Sequence, residues 1–447
     1  MKDPAPRTGL REDVLAHVDA QAVGRLTTDL IDIPSPMGGE RAVAEYLAGR
    51  FRAAGLRTWL QEVEPERFNV YGTLPGTGDG PTLMYCGHLD TTFGGDEEGI
   101  RDLGPGYQPK AFVEGEWIFG MGAYNMKSGL ASAVAAVEGL AKARVRLKGD
   151  VVLAGVVGET SHAQVGRFQG RRYRGCGIGA RFMVANGLTA DMAIIPEPTA
   201  GRISVVSGGY VYAQITTRGN PGATYRRGGS SIRPRPAVDA IEKMLPVLAA
   251  IREWAPKYVA ATRHRGEEAT NVSIIAIEGG LPFRPTKLAS VCRLYVEIDT
   301  MPGQLPADVV QELRRLLAEI QARDPELVTE LEIVQTAVGA EVSPDEPVVR
   351  SLGAAHRQVH GEDAEVTWDG WHADTAALTR AGIPAICYGP QGRARAGGSG
   401  HYPREGEQVS VEDLVKGAQV FVLTALDLGM RSRAEARAVR PSGTVVF

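Results

Sequence analysis

His88 and Asp90 stand two residues apart where the apolar run Leu83–Cys86 ends at Gly87, in the segment MYCGHLDTT. A strand that stops there presents an imidazole and a carboxylate from its end, which is the raw material of a metal site. The carboxylate is expected to accept the spare ring N–H of His88 and so fix which ring nitrogen faces a cation. Alone the pair decides little; its meaning depends on what the rest of the chain brings to it. Four other segments carry polar groups suited to the same site: Asn125 in GAYNMKSG, Glu159 in VVGETS, Glu197 in IIPEPT and His401 in GSGHYP. Each also has a purely structural reading. Glu159 follows an apolar strand and could cap the next element, Glu197 could be a turn residue, His401 lies in a glycine-rich loop, and Asn125 suits a helix N-cap. Asp374, ahead of an apolar helix, is explained by capping as well as by function, and His17, His264, His356 and His360 read as surface residues.

The elements that must hold these groups alternate helix and strand. Arg41–Ala54 reads as an amphipathic helix closed by Gly55, and Thr82–Cys86 as a strand. Leu130, Val134, Val137 and Leu140 recur at helical spacing. Val151–Val157 is a nearly unbroken apolar run, as expected for a strand covered on both faces, and Met192–Ile195 is another short strand. This rhythm predicts an α/β fold, a mainly parallel sheet with right-handed crossovers and helices on both faces. Ligands then belong beyond the carboxyl ends of the strands.

Near Val205 the character changes. Ile203–Val206 and Tyr210–Thr216 alternate more like antiparallel strands, and the Gly/Pro/Arg-rich stretch Arg218–Pro236 follows. Helices are expected at Ala237–Arg252 and Ala307–Ala322, with strands at Val272–Ile277 and Leu294–Ile298. The order predicts a small α+β unit, residues 207–327, inserted into a larger domain made of residues 1–206 and 328–447. Ala385–Tyr388 is a further strand. Ser410 with Asp413 makes a capping-box-like start to a terminal helix, Val411–Leu428, and the tail Arg431–Phe447 is expected to be poorly anchored.

At 447 residues the chain is too long for one ordinary core. Its net charge of -4 argues against a nucleic-acid partner. Cys86, Cys176, Cys292 and Cys387 are scattered with no CxxC, which suits buried thiols in a reducing compartment better than a disulfide framework or a zinc–thiolate site. The polar N-terminus has no apolar h-region, and no apolar run approaches the length that spans a bilayer. A soluble, cytoplasmic protein with neither membrane nor nucleic-acid partner is expected.

The five segments, in this order, resemble the M20 metallopeptidase family, which includes carboxypeptidase G, acetylornithine deacetylase and succinyl-diaminopimelate desuccinylase. The likeness spans most of the chain and takes in GAYNMKSG, the segment TNVSIIAIEGG with Asn271, the run HADTAALTRAGIPAICYGP and the terminal helix. It implies a zinc-peptidase-like catalytic domain, an inserted lid and dimerisation domain, a homodimer, and two metal ions about 3.5–4 Å apart. By this resemblance His88 and Glu197 match the ligands of one ion and His401 a ligand of the other. Asp90 matches the carboxylate behind His88, and Glu159 the general base. Three positions depart from the pattern. Asn125 stands where a bridging Asp is usual, and Thr160 where a second Glu binds the other ion. Ala223, in GNPGATY, stands where a His usually stabilises the oxyanion from across a dimer.

Replacing that Asp and Glu strips two negative charges from a site meant for two cations. The second ion would keep His401 and Asn125, too few where three or four protein ligands are usual. One divalent ion is therefore expected, Mn²⁺ or Zn²⁺ with Co²⁺ also compatible, on His88 and Glu197 with Asn125 as a weak ligand. His162 is a possible substitute donor at a different spacing. Asn271, Tyr225, Arg226, Arg227 and His372 are the expected substrate contacts. Arg226 and Arg227, with Arg233 and Arg235, read either as a solvated basic loop or as recognition of a carboxylate-bearing small molecule. The expected function is metal-dependent hydrolysis of a C–N bond with Glu159 as base, foremost the amide of an N-acyl amino acid or peptide-like substrate. The alternative is hydrolytic deamination of an electron-poor aromatic amine, as in a 5-nitroanthranilate aminohydrolase of the same superfamily. Ala223 weighs toward it, because losing one oxyanion donor costs amide hydrolysis roughly 10²–10³ in rate. A third reading, an inactive binding protein, is disfavoured by Glu159 standing with His88 and Glu197.

Overall fold

The computed structural model describes residues 9–100, 103–220, 222–224, 237–265, 271–368, 370–390, 406–438 and 445–446. The chain divides into two compact units, one of residues 1–206, 341–367 and 373–446, the other of residues 207–340 and 368–372.

The larger unit is built on an eight-stranded sheet in the order Arg57–Glu64, Arg67–Leu74, Val151–Val156, Leu83–His88, Met192–Ile195, Ala385–Cys387, Ile203–Ser204, Val366–Thr367. The four strands from Val151–Val156 to Ala385–Cys387 run parallel to one another. They are buried along their whole length, as a sheet covered on both faces requires. The first two strands form an antiparallel hairpin added to that core. Helix Lys127–Lys142 is buried almost throughout, down to Leu140. Its Gly, Ala and Ser residues let it lie against strand Leu83–His88 while also packing on helix Val411–Gly429. That last helix starts as expected, with Ser410 Oγ accepting from Asp413 N at 3.0 Å. The tail is better anchored than its composition predicts: Arg433–Ala438 is helical, and Val445 and Val446 pair with Val342 and Glu341.

One buried charge ties this unit together. The Arg67 side chain is fully buried and donates to Glu40 Oε1 at 2.5 Å, to Glu64 Oε2 at 2.9 Å and to the Arg174 carbonyl at 2.7 Å. A guanidinium placed so deep is tolerable only with its donors satisfied. It lies directly beneath Gly158: a Cβ there would meet Arg67 Nη2 at 2.5 Å. The turn leading to Glu159 thus rests on this ion pair.

The smaller unit is a four-stranded antiparallel sheet in the order Val272–Gly279, Val291–Thr300, Gly209–Arg218, Val328–Ala337. Val211, Ala213 and Ile215 alternate onto one face, together with Leu294, Val296 and Ile298. Helices Ala240–Ala261 and Pro306–Arg323 cover that face through Met244, Val247, Ile251, Leu313 and Leu317. The chain leaves this unit after residue 340 rather than at 328, because strand Val328–Ala337 pairs with Gly209–Arg218 along its whole length. No helix among the described residues is long and apolar enough to cross a membrane.

Candidate metal centre

His88 closes its strand with its ring wholly buried. Nδ1 lies 2.8 Å from the main-chain oxygen of Asp90, and Nε2 lies 2.8 Å from Asn125 Oδ1. Nε2 is also 3.7 Å from Glu197 Oε1 and 3.8 Å from Glu159 Oε2. Ligand atoms of His88, Glu159 and Glu197 all fall within 4.8 Å of one another. Glu159 and Glu197 stand just past the carboxyl ends of the parallel strands Val151–Val156 and Met192–Ile195, where open α/β sheets hold ligands. Two close main-chain approaches seat Glu197. A Cβ at Gly129 would come within 1.7 Å of Pro196 O, and one at Gly389 within 2.5 Å of Glu197 O. Only glycine leaves room at either place.

Asp90 works differently from the expectation. Its carboxylate is 3.8 Å from His88 Nδ1. The ring is oriented by the Asp90 carbonyl instead, and the carboxylate accepts from Glu159 N at 3.0 Å, Thr160 N at 2.9 Å and Thr160 Oγ1 at 2.7 Å. It therefore fixes the turn that carries Glu159, and Thr160 spends its hydroxyl on Asp90. The capping readings of Asn125 and Asp374 do not hold. The N-cap of helix Lys127–Lys142 is Met126, without a side-chain bond, and the Asn125 amide faces His88 instead. Asp374 makes no cap bond to helix Thr375–Arg380; it is buried, and its Oδ1 has no hydrogen-bond partner among the described residues. His162 stays outside the cluster, with Nδ1 3.4 Å from Thr160 Oγ1.

The electrostatics of the cluster follow from packing these charges in a dry place. Burial pulls the His88 imidazole down, yet Asp90, Glu197 and Glu159 outweigh it and lift its pKa to about 10. Burial drives Glu159 well above the usual carboxylate range and Glu197 adds to this, against the pull of His88. Glu197 is raised by the same burial. Burial also pushes on Asp90, but His88 and the three donated hydrogen bonds hold it below its ordinary value. Burial lifts Asp374 to about 7. A buried and a partly buried carboxylate, an imidazole and an amide oxygen converging in this way fit a divalent cation by the chemistry of the donors.

The other expected site residues belong to the smaller unit or fall outside the described residues. Asn271 is exposed on the smaller unit; its Nδ2 donates to Ser273 Oγ and its Oδ1 accepts from Val272 N. His372 belongs to the same unit, with Nε2 3.5 Å from Asp299 Oδ1 and 3.7 Å from Glu297 Oε1 and its ring edge-on to Tyr210. Burial opposes its charge, but Asp299 and Glu297 raise it to about 9, so His372 is occupied as an ion-pair partner at neutral pH. Tyr225, Arg226, Arg227, Arg233, Arg235 and His401 lie outside the described residues. His356 is buried rather than at the surface, with Nδ1 2.8 Å from Tyr388 Oη, because the inner face of helix Pro347–His360 carries it. Two buried charges went unmarked in the sequence. Lys127 Nζ donates to the carbonyls of Leu30 and Ile33, and Glu407 reaches the Asn125 loop. No spacing rule points to either.

Residues 84–427 match the peptidase family M20/M25/M40. The chain is 25% identical over 411 residues to an N-formyl-4-amino-5-aminomethyl-2-methylpyrimidine deformylase of Halalkalibacterium halodurans, covering 85% of this chain and 90% of that protein. It is also 25% identical over 331 residues to an acetylornithine deacetylase of Aliivibrio fischeri, covering 73% and 78%. Among solved structures, human carnosine dipeptidase 1 superposes with a TM-score of 0.71 at 13% identity, covering 96% of this chain and 100% of that one. A tripeptidase of Staphylococcus aureus gives 0.67 at 18% identity, covering 91% and 98%. The chain belongs to peptidase family M20/M25/M40 and is a metal-dependent amidohydrolase.

Proposed function

We propose that the chain hydrolyses the amide C–N bond of a small N-acyl amine, such as an N-acyl amino acid or a peptide-like substrate, with one divalent ion. The observation that carries this is the convergence of buried His88 and Glu197 with partly buried Glu159, with the Asn125 amide oxygen 2.8 Å from His88 Nε2. His88 and Glu197 hold the ion, and Asn125 adds a neutral oxygen. Bound there, Mn²⁺, Zn²⁺ or Co²⁺ would polarise the scissile carbonyl and acidify the attacking water. Glu159 takes the proton from water and, because burial strengthens the carboxyl's hold on a proton, can carry it to the leaving nitrogen. Asp90 holds the Glu159 turn while this happens. Asn125 and Thr160 argue for a single ion: one is neutral, and the other gives its hydroxyl to Asp90. Relatives named as a deformylase and a deacetylase support a small acyl group on the amine.

A second reading, release of ammonia from an electron-poor aromatic amine, is favoured by Ala223, which offers no side-chain donor to a localised oxyanion. One experiment separates the two. Protein loaded with Mn²⁺ or Zn²⁺ is offered N-formyl and N-acetyl amines and nitro- or carboxy-substituted anilines, and carboxylate and ammonia are assayed separately. Carboxylate release with about one tightly held ion per chain is the expected result. Ammonia from the anilines with no carboxylate from the amides would reverse the ranking, and two tightly held ions would defeat the one-ion reading. Neither product would leave only a binding role. The four cysteines, three of them buried, suit a reducing, cytoplasmic setting.

The smaller unit is proposed to support a homodimer. Among the described residues strand Val272–Gly279 is an edge strand, and it exposes Ile274, Ile275 and Ile277 beside exposed Ile241 and Leu245 of the neighbouring helix. Such an edge is a pairing surface unless covered. Ile275→Lys with Ile277→Lys is expected to convert a dimer into a monomer in sedimentation velocity. A wild-type monomer at micromolar concentration would sink the proposal.

A further inference from the structure

Glu407 immediately precedes strand Gln408–Ser410 and is 1% exposed. Its Oε2 accepts from the main-chain N–H of Gly122 at 2.8 Å and from those of Tyr124 and Asn125 at 3.0 Å. Its own backbone is held on both sides: Glu407 N donates to Gly106 O, and Gly120 N donates to Glu407 O, each at 3.2 Å. The strand that follows pairs antiparallel with Trp117–Phe119. The carboxylate therefore has a fixed origin from which to hold the loop. The amides it gathers precede helix Lys127–Lys142, and buried N–H groups without an acceptor are costly. The same Asn125 whose N–H is gathered turns its Oδ1 to His88 Nε2.

We propose that Glu407 is a positioning residue for the metal centre. By drawing three amides onto one oxygen it sets the backbone of residues 122–125 so that the Asn125 amide oxygen is aimed at the point His88 faces. The inference rests on the metal-centre reading of His88, Glu197 and Asn125 given above. A carboxylate in place of Asn125 would be drawn to a cation by its charge. A neutral amide has no such pull, so its contribution depends on being placed in advance by the groups behind it.

Two substitutions separate reach from charge. Glu407→Asp keeps the charge but withdraws the acceptor by one methylene, and Glu407→Gln loses the charge but keeps an acceptor oxygen at the same reach. Zn²⁺ affinity is measured by competition with a chromophoric chelator on metal-free protein, with circular dichroism as a check on folding. Glu407→Asp is expected to weaken Zn²⁺ binding by about 10–100-fold, the usual effect of removing a group that orients a ligand. Glu407→Gln should stay within about threefold, a limit set well below that loss. In an Asn125→Ala background Glu407→Asp should cause no further loss, since a residue acting through Asn125 has nothing left to aim. The inference is overturned by the opposite order of the two variants, which would mean that charge acts through space. The same loss with and without Asn125, or unchanged affinity in Asn125→Ala alone, also overturns it. If Glu407→Asp does not fold, Glu407→Gln decides: retained affinity supports the inference, and a loss of tenfold or more ends it. His88→Ala keeps the two readings apart. If it still binds Zn²⁺ like wild type, the metal centre itself is misassigned; if it loses Zn²⁺ while Glu407→Asp does not, only the role of Glu407 falls.

Discussion

Glu159→Gln is expected to lower turnover by about 10²–10⁴, the range that a positioned general base supplies, with metal content and fold unchanged. The substitution is isosteric and leaves in place the main-chain bond from residue 159 to Asp90 that fixes the turn. What it removes is the ability to take a proton and pass it on. The surroundings favour such a transfer, since burial raises the carboxyl's hold on a proton while the side chain, 11% exposed, still reaches solvent. The loss should fall on kcat, because His88 and Glu197 remain to hold the ion. Steady-state kinetics with metal analysis of the same sample reads both quantities. Undiminished turnover would remove Glu159 as the base for amide cleavage and for deamination alike.

Arg67→Met should be the most destabilising single change outside the apolar core, by about 3–5 kcal/mol, the typical effect of removing one partner from a buried ion pair. Both Arg67 and Glu40 are fully buried, and the guanidinium also serves Glu64 and the Arg174 carbonyl. Without it Glu40, already raised by burial, must take up a proton or be stranded as a buried charge. The double variant Arg67→Met with Glu40→Leu should recover much of the loss, since an apolar pair of similar volume removes the stranded charge. Urea unfolding of the two variants beside wild type measures this. A single variant as stable as wild type would refute the assigned importance of the pair. Because Gly158 sits on the guanidinium, the single variant should also loosen the turn that holds Glu159.

Local pattern made part of this legible before any coordinates. Met192–Ile195 forms its strand with the expected bounds, and the terminal helix runs Val411–Gly429 behind its Ser410 cap. An apolar run or a capping residue acts on its neighbours, so a short window contains the whole cause. The hairpin Arg57–Leu74 has no such local mark: its first strand is half-exposed and mixes charges with apolar residues, leaving no clean alternation. The boundary at 340 depends on the pairing of Val328–Ala337 with a strand more than a hundred residues earlier, which no local window contains.

The site divides along the same line. Residue types and strand-end spacing nominated His88, Asn125, Glu159 and Glu197, and the fold brings these four together. The sequence by itself named the candidate donors, and its resemblance to the M20 family exposed their charge deficit, since Asn125 and Thr160 are neutral wherever they lie. Only the tertiary structure decided which group of Asp90 orients His88, that Asp374 and Glu407 are buried, and that Arg67 supports the Glu159 turn. The bond between Glu407 and Asn125 spans 282 positions of chain. Contacts of that separation are made by packing whole elements, and one-dimensional spacing carries no trace of them.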